Sequence, residues 1–247
     1  MTPSADDLMI VNAARCLSNG MACFVGIGLP STAANLARRL HAPECVLIYE
    51  SGCIGSKPTR LPLSIGDGEL AETADAVVSV PEIFAYWLQA GRIDVGFLGA
   101  AQLDRFGNIN STVIGEYGHP RTRLPGAGGA PEIAASAGEV IVIVRQSARA
   151  FVERCDFVTS VGFGRGADDR ARMGLRGRGP QTVITDLGIL RPDSVTGELV
   201  LTELHPGRSV EQARVATGWP LRVAGDLAET APPTEGELRA LAALQAA

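Results

Sequence analysis

The stretch ACFVGIGLPSTAANLARRL, residues 22–40, decides the fold. It begins with an apolar run, turns at two glycines, Gly26 and Gly28, and then spaces apolar residues at helical intervals up to Leu40. A short apolar run before a glycine turn predicts a buried strand, and the spacing that follows predicts an amphipathic helix. The order strand, turn, helix is the repeating unit of α/β folds.

The same alternation recurs on both sides of this stretch. Ser4 with Asp7 three residues later is typical of a capped helix start and predicts a helix over residues 4–19. Because apolar strands alternate with helices, we expect an α/β fold with an open, mostly parallel sheet and helices on both faces, in one domain over residues 1–247. Further strands are predicted at 46–49, 76–80, 94–98, 140–144, 182–185 and 199–204, and helices at 82–89, 210–217 and 235–246.

Composition excludes several classes of function. The 247 residues carry 22 Lys and Arg against 27 Asp and Glu, a net charge of −5. With no basic stripe, this charge argues against a nucleic-acid partner. No apolar run reaches the ~18 residues of a membrane span, and residues 1–7 do not resemble a secretory signal. The five cysteines form no CxxC and the three histidines have no ligand spacing, so we expect no metal site and a cytoplasmic protein.

Glu50 is the first candidate for chemistry. It follows an apolar run, residues 46–48, and so lies at the carboxyl end of a predicted parallel strand, where open α/β sheets place their ligands. Partial loss of solvent there would make the carboxylate a better nucleophile or base. A solvated or helix-capping role is the alternative. The sequence contains neither a GxSxG elbow nor a Walker A motif, which weakens the case for a serine hydrolase or a nucleotide site.

Two glycine-rich turns could present backbone N–H groups. The segment from Gly126 to Pro131 precedes a predicted helix start, and Gly128, Gly129 and Ala130 are candidates for an oxyanion hole. Its alternative is a plain hinge. Gly26 and Gly28 could form an anion-binding loop or simply a tight strand-to-helix turn.

Residues 100–135 have little periodicity, which in so long a segment suggests function. Asn108 and Asn110 in this segment either bind a ligand or satisfy an irregular turn. Arg121 and Arg123 could bind a substrate carboxylate, although paired loop arginines are usually solvated.

Taken in order, these motifs resemble the β subunits of family I CoA-transferases. The similarity is greatest to the branch that acts on glutaconate and 3-oxoadipate, and residues 61–75 favour the 3-oxoadipate type. Acetoacetate-type β subunits carry Ser-Glu-Asn-Gly at the catalytic turn, whereas Tyr49 and Ser51 flank Glu50 here. The matching stretches are VGIGLP at 25–30, IYESG at 48–52, GAAQLDRFGNIN at 99–110, GAGGA at 126–130 and VITD at 183–186.

The resemblance implies a mechanism and a partner. Glu50 would form an acyl anhydride and then a glutamyl-CoA thioester, with no metal or redox cofactor and with CoA as a substrate. An α-type subunit would complete a hetero-oligomer. The expected reaction moves CoA from succinyl-CoA to 3-oxoadipate, a dicarboxylic acid of the β-ketoadipate route of aromatic catabolism. The alternatives are a glutaconate-type transferase, an acyl-CoA hydrolase-type relative, and a subunit that only completes a partner's pocket.

Overall fold

A computed structural model describes residues 3–246, and these fall into two compact units. Unit 1 contains residues up to Phe97 together with those from Pro232 onward, and unit 2 contains Leu98–Ala231. The prediction of one domain stays a prediction, and its first two residues and its last lie outside the described part.

Unit 1 is built around three short parallel strands. β1 (Ala22–Phe24) pairs in parallel with both β2 (Val46–Ile48) and β5 (Val95–Leu98). On the far side of β2, β3 (Cys53–Ile54) and β4 (Ala76–Val77) add antiparallel pairs, so the order is β5-β1-β2-β3-β4. Both residues of β4 are exposed, which corrects the buried strand predicted at 76–80.

Three helices of unit 1 pack on one another. They are α1 (Ala5–Arg15), α2 (Leu29–Leu40) and α8 (Glu235–Gln245). Capping boxes at Ser4 and Thr234 begin α1 and α8. Arg15 of α1 donates two hydrogen bonds of 2.8 Å to the carboxylate of Glu237 in α8, and these bonds hold α8 against α1.

Two shorter helices, α3 (Gly68–Glu72) and α4 (Val80–Glu82), lie beside β4 in sequence. A π-helical turn, Ile83–Leu88, continues directly from α4. The helix predicted at 82–89 therefore exists, but with a wider winding that the apolar spacing could not reveal.

Unit 2 also combines parallel and antiparallel pairs. Its five-stranded order is β10-β11-β12-β13-β14, with β10 parallel to β11, β13 parallel to β14, and antiparallel pairs between. The prediction of an α/β fold on parallel strands is confirmed. The bounds are β10 Glu139–Ile143, β11 Pro180–Ile184, β12 Gly188–Pro192, β13 Leu199–Leu204 and β14 Arg222–Glu229, with helices α5 Ala130–Ser136, α6 Asp169–Arg172 and α7 Val210–Val215.

The segment without clear periodicity contains two small hairpins. β6 (Gln102–Leu103) pairs with β7 (Ile109–Asn110), and β8 (Val113–Gly115) pairs with β9 (Pro120–Arg123). Strands of two to four residues are too short to show a period of two, which explains why the sequence did not predict them.

Candidate active site

The candidate site in unit 1 lies where β1 and β2 end. Phe24 and Ile48 are paired in parallel register, and the Val25 amide donates to the Ile48 carbonyl at 2.9 Å. Gly26 lies two residues after Phe24, and Glu50 lies two residues after Ile48. The structure therefore brings the Gly26–Gly28 turn and Glu50 to the same carboxyl edge, the position where open α/β sheets bind ligands.

A tight turn carries Glu50. The Gly52 amide donates to the Tyr49 carbonyl at 3.0 Å, and the Tyr49 amide donates to the Cys53 carbonyl at 3.0 Å. Glu50 and Ser51 are consequently the two central residues of a hairpin turn between β2 and β3. Gly52 has a φ of +105°, and a Cβ placed there would lie 1.9 Å from the Val78 carbonyl oxygen. Only glycine fits at this position of the turn.

The Glu50 carboxylate is half-buried and meets no hydrogen-bond or ion-pair partner among residues 3–246. Burial raises its pKa above the ordinary glutamate value, and no opposing charge offsets this effect. A carboxylate with reduced solvation and a raised pKa is a stronger nucleophile than one on an open surface. Among the described residues, no group of three or more His, Cys, Asp or Glu side chains could hold a metal ion.

The buried side chain of Tyr49 connects the turn to α2. Its side chain has no exposed surface, and its hydroxyl lies 3.5 Å from Ser31 Oγ, in the first turn of α2. Asn35, one turn later, donates to the Ser31 carbonyl at 2.9 Å. Burial raises the pKa of Tyr49, while hydrogen bonds from Ser31 and Asn35 act in the opposite direction. Tyr49 is therefore a neutral phenol held among buried polar groups.

The glycines of the β1–α2 turn have different conformations. Gly28 has a φ of +82° and occupies the N-cap of α2, and a Cβ at either Gly26 or Gly28 would meet no atom within 4 Å. The positive φ explains why glycine is needed at 28, whereas space alone would admit a side chain at 26. Both interpretations of this turn, as an anion loop and as a chain reversal, are compatible with this geometry.

The glycine-rich segment of unit 2 forms the entry to α5. Gly128 has a φ of +51°, and Gly129 is the N-cap residue. The Ala130 amide donates to the Ala127 carbonyl at 3.1 Å. Because this amide already has an acceptor, the oxyanion prediction now rests on Gly128 and Gly129, and Ala130 is better described as part of the turn.

The amides of Asn108 and Asn110 are engaged within unit 2. Asn108 donates to Asp104 and to the Gly164 carbonyl, and its oxygen accepts from the Gly162 amide at 2.9 Å. Asn110 is fully buried and donates to Gln102 and to the Val113 carbonyl, each at 2.7 Å. These contacts support the turn interpretation of both residues rather than substrate binding.

Arg121 and Arg123 lie on the exposed strand β9. Arg121 is 77% exposed with a nitrogen 3.9 Å from Asp156, and Arg123 stacks on Tyr117 and donates to its carbonyl. Neither guanidinium is buried or held in a fixed fork, although Arg121 keeps enough freedom to meet an incoming anion. Their substrate-binding role stays a prediction.

Comparison with known proteins identifies the family. The model described as coenzyme A transferase matches residues 7–216. The chain is 63% identical over 243 residues to the B subunit of 3-oxoadipate CoA-transferase of Pseudomonas knackmussii, covering 98% of this chain and 94% of that protein. The chain belongs to the coenzyme A transferase family. This CoA-transferase is also 38% identical over 232 residues to the B subunit of glutaconate CoA-transferase of Acidaminococcus fermentans, covering 92% of this chain and 86% of the relative.

A solved structure extends this similarity to the fold. The crystal structure of glutaconate CoA-transferase from A. fermentans superimposes with a TM-score of 0.90 at 34% identity, covering 96% of this chain and 92% of that one. The predicted family resemblance is therefore confirmed. No helix among residues 3–246 of this CoA-transferase is long and apolar enough to cross a membrane.

Sequence reasoning missed the polar residues that support the site. Ser31 and Asn35 are four residues apart among the buried residues of α2, which also include Thr32. Polar residues recurring among the apolar ones of this helix were the signal for them. Arg170 was also missed. It is 5% exposed and lies in a segment rich in Arg and Gly, where nothing in the sequence distinguishes it from its solvated neighbours.

Proposed function

We propose that this chain is the β-type subunit of a CoA-transferase that moves CoA from succinyl-CoA to 3-oxoadipate through a covalent intermediate on Glu50. The observation that carries the mechanism is the half-buried, unpaired carboxylate at the tip of the β2–β3 turn. The substrate assignment is supported by the 63% identity to a subunit named for 3-oxoadipate. The reaction would then convert 3-oxoadipate, an acid formed when an aromatic ring is opened, into its activated CoA thioester.

The reaction divides into two symmetrical halves. A Glu50 oxygen attacks the thioester carbonyl of the donor, the C–S bond breaks, and CoA thiolate leaves an acyl-glutamyl anhydride. The thiolate then attacks the Glu50 carbonyl, the donor acid leaves as its carboxylate, and Glu50 holds CoA as a thioester. The acceptor carboxylate attacks this thioester and repeats the two steps in reverse. Each bond formed replaces one broken, and the cycle needs no metal, no redox cofactor and no net proton.

Both halves pass through tetrahedral oxyanions, which need donors in fixed positions. The main-chain N–H groups of Gly128 and Gly129 are our candidates for these donors. The turn at Gly26 and Gly28 shares the edge of Glu50, and we assign it to CoA binding. One such donor is typically worth about 3 kcal/mol of transition-state stabilisation.

Succinate and 3-oxoadipate each have a second carboxylate away from the reacting one, so the pocket needs a cation to bind that second carboxylate. Arg121 and Arg123 are the candidates in this chain, and an α-type subunit is the alternative source. We propose such a subunit as the partner, since both relatives above are named as one subunit of a CoA-transferase. A cytoplasmic location belongs to the same proposal and is supported by five free cysteines.

The test uses the chain co-expressed with the α-type chain. The complex is incubated with succinyl-CoA alone and then digested for mass spectrometry. We expect CoA on the Glu50 peptide of the wild type and no adduct in Glu50→Ala, with transfer reduced at least about 10⁴-fold. Glu44→Gln, at an exposed glutamate of the same unit, is the matched control and should keep full activity.

Substrate panels distinguish the alternatives. Succinyl-CoA with 3-oxoadipate should be used at least about tenfold better than acetyl-CoA with acetoacetate, because a cation built for a distal carboxylate is left unpaired by a monocarboxylic acid. A clear preference for glutaconate would move the chain to the neighbouring branch. Release of free CoA at the same rate with and without an acceptor acid would indicate a hydrolase instead.

A further inference from the structure

We infer that Tyr49 is a positioning residue for Glu50: its buried phenol fixes the catalytic turn to the first turn of α2, and so sets the direction in which the carboxylate attacks. This inference rests on the function proposed above. Tyr49 itself touches neither substrate nor CoA in this scheme.

The first argument is that Glu50 has no side-chain contact to orient it. Its carboxylate has no hydrogen-bond or ion-pair partner among the described residues. The direction of attack must then come from the backbone of the turn. Both hydrogen bonds that close this turn involve Tyr49, whose amide donates to Cys53 and whose carbonyl accepts from Gly52, each at 3.0 Å. The backbone at position 49 therefore closes the turn, and a contact that holds the Tyr49 side chain in place also holds the turn that carries the nucleophile.

The second argument is the buried polar cluster beneath the turn. Ser31, Asn35 and Tyr49 are each no more than 3% exposed. The Tyr49 hydroxyl lies 3.5 Å from Ser31 Oγ, and Asn35 Nδ2 lies 2.9 Å from the Ser31 carbonyl and 3.4 Å from its Oγ. An apolar residue would pack into this space at lower desolvation cost. A phenol placed against two buried polar side chains instead gives the turn one preferred position.

The third argument is connectivity. α2 begins immediately after the Gly26–Gly28 turn, and Ser31 lies in the first turn of that helix. The cluster therefore joins the two loops that share the carboxyl edge of β1 and β2. A nucleophile held to the same helix as the neighbouring loop keeps a constant distance from whatever that loop binds. Positioning errors of about 1 Å can cost about a hundredfold in rate.

The test is a double-mutant cycle in the co-expressed complex, with Tyr49→Phe, Ser31→Ala and the double variant. Tyr49→Phe keeps the ring and the backbone of the turn and removes only the hydroxyl. We expect kcat to fall about tenfold in either single variant, with KM for succinyl-CoA changed less than about twofold, because only the attack is misaligned. The kcat of the double variant should be no lower than that of the more affected single variant, since both substitutions remove the same link. Tyr86→Phe, at a tyrosine that is 64% exposed, is the matched control and should behave as the wild type.

The outcomes separate the possibilities. An unchanged kcat in Tyr49→Phe, with or without a lower melting temperature, would show that Tyr49 only fills the core and would overturn the inference. Losses that multiply in the double variant would show that the two hydroxyls act separately, which overturns the link. A wild-type complex that transfers no CoA would remove the proposed function and this role together, whereas with an active wild type the variants alone decide the role of Tyr49.

Discussion

Glu50 is in an environment opposite to that of Glu237 and Asp193, two carboxylates that have hydrogen-bond and ion-pair partners. Glu237 and Asp193 each have a pKa of about 2, because Arg15 and Thr234 contact the former and the Thr196 amide and hydroxyl contact the latter. The pKa of Glu50 is instead raised, and burial is the cause. A half-buried carboxylate that has no partner among residues 3–246 and a raised pKa is a candidate for a chemical role, and we propose that role for Glu50.

This contrast predicts a stability change of known sign. A raised pKa in the folded state means that the fold binds the Glu50 proton more tightly than the unfolded chain does. The associated stability is fully present below the ordinary glutamate pKa and is lost as the pH rises from there through the raised pKa of the folded state. Glu50→Gln should therefore raise the melting temperature at pH 7, and the difference from the wild type should vanish near pH 4.

The matched comparison is Glu69→Gln, measured by the same thermal melts. Hydrogen bonds from the amide and hydroxyl of Thr59 lower the pKa of Glu69, so its charge stabilises the fold at neutral pH. Glu69→Gln should lower the melting temperature at pH 7. If both variants moved in the same direction, charge at Glu50 would not be the cause.

Arg170 shows how a buried cation can serve structure alone. Its guanidinium donates to the carbonyls of Gly177, Val161, Gly162 and Ala134, at distances from 2.7 to 3.2 Å. Burial lowers its pKa to about 10, which leaves it charged at neutral pH. Because one of these carbonyls belongs to α5, the side chain also steadies the helix that follows the glycine-rich segment.

Replacing Arg170 should therefore destabilise unit 2. Arg170→Met leaves several buried carbonyls without donors, and we expect a loss of about 2–4 kcal/mol in the free energy of unfolding. Arg170→Lys should also lose stability, because an ammonium cannot reach carbonyls in the directions of a planar fork. Urea unfolding measures both, with exposed Arg172→Met as the control. A wild-type midpoint for Arg170→Met would contradict the role.

At the scale of elements, the glycine-rich segment before α5 makes a direct prediction. Gly128→Val adds a side chain at a φ of +51°, beside the amides proposed to bind the oxyanion. We expect kcat to fall at least about a hundredfold while free CoA binds with unchanged affinity, because the clash falls on the transition-state oxygen. Steady-state kinetics and calorimetry give the two quantities.

Gly174→Val is the control for backbone strain. Gly174 has a φ of +68° and open space around its Cα, so the variant carries the same conformational penalty away from the glycine-rich segment. Its kcat should match the wild type. Normal turnover in Gly128→Val would instead favour the hinge interpretation of the segment.

The sequence predicts elements with clear apolar spacing well, and very short or half-exposed elements poorly. Apolar spacing and glycine position predict α2, α8, β13 and the turn that carries Glu50. β14 was missed because RVAGDLAE is half-exposed and contains no continuous apolar run. β3 and β6 have two residues each, too few for any period. The site was predictable at Glu50, since a strand end is visible in sequence, whereas the engagement of Asn108 and Asn110 depends on partners up to 56 residues away.

At the scale of the whole molecule, the chain exposes apolar side chains that a partner could cover. Leu63, Val77 and Val80 in unit 1 are 85%, 59% and 49% exposed. We predict that the chain purified alone is inactive and self-associates, and that co-expression with the α-type chain restores transfer. The complex should melt at a higher temperature than the lone chain, because a partner that binds only the folded state stabilises it. Robust transfer by the single chain would contradict this prediction.

The position of α8 affects the order of synthesis. The sequence of unit 1 is interrupted after Phe97 by the 134 residues of unit 2, Leu98–Ala231, and continues at Pro232. On the ribosome, α1 and α2 therefore emerge long before α8, whose Glu237 is the ion-pair partner of Arg15. The faces of α1 and α2 that α8 covers are therefore exposed to solvent while unit 2 is translated. At about 5–20 residues per second this interval lasts roughly 7 to 27 s, during which we expect nascent unit 1 to be more prone to aggregation than the finished chain.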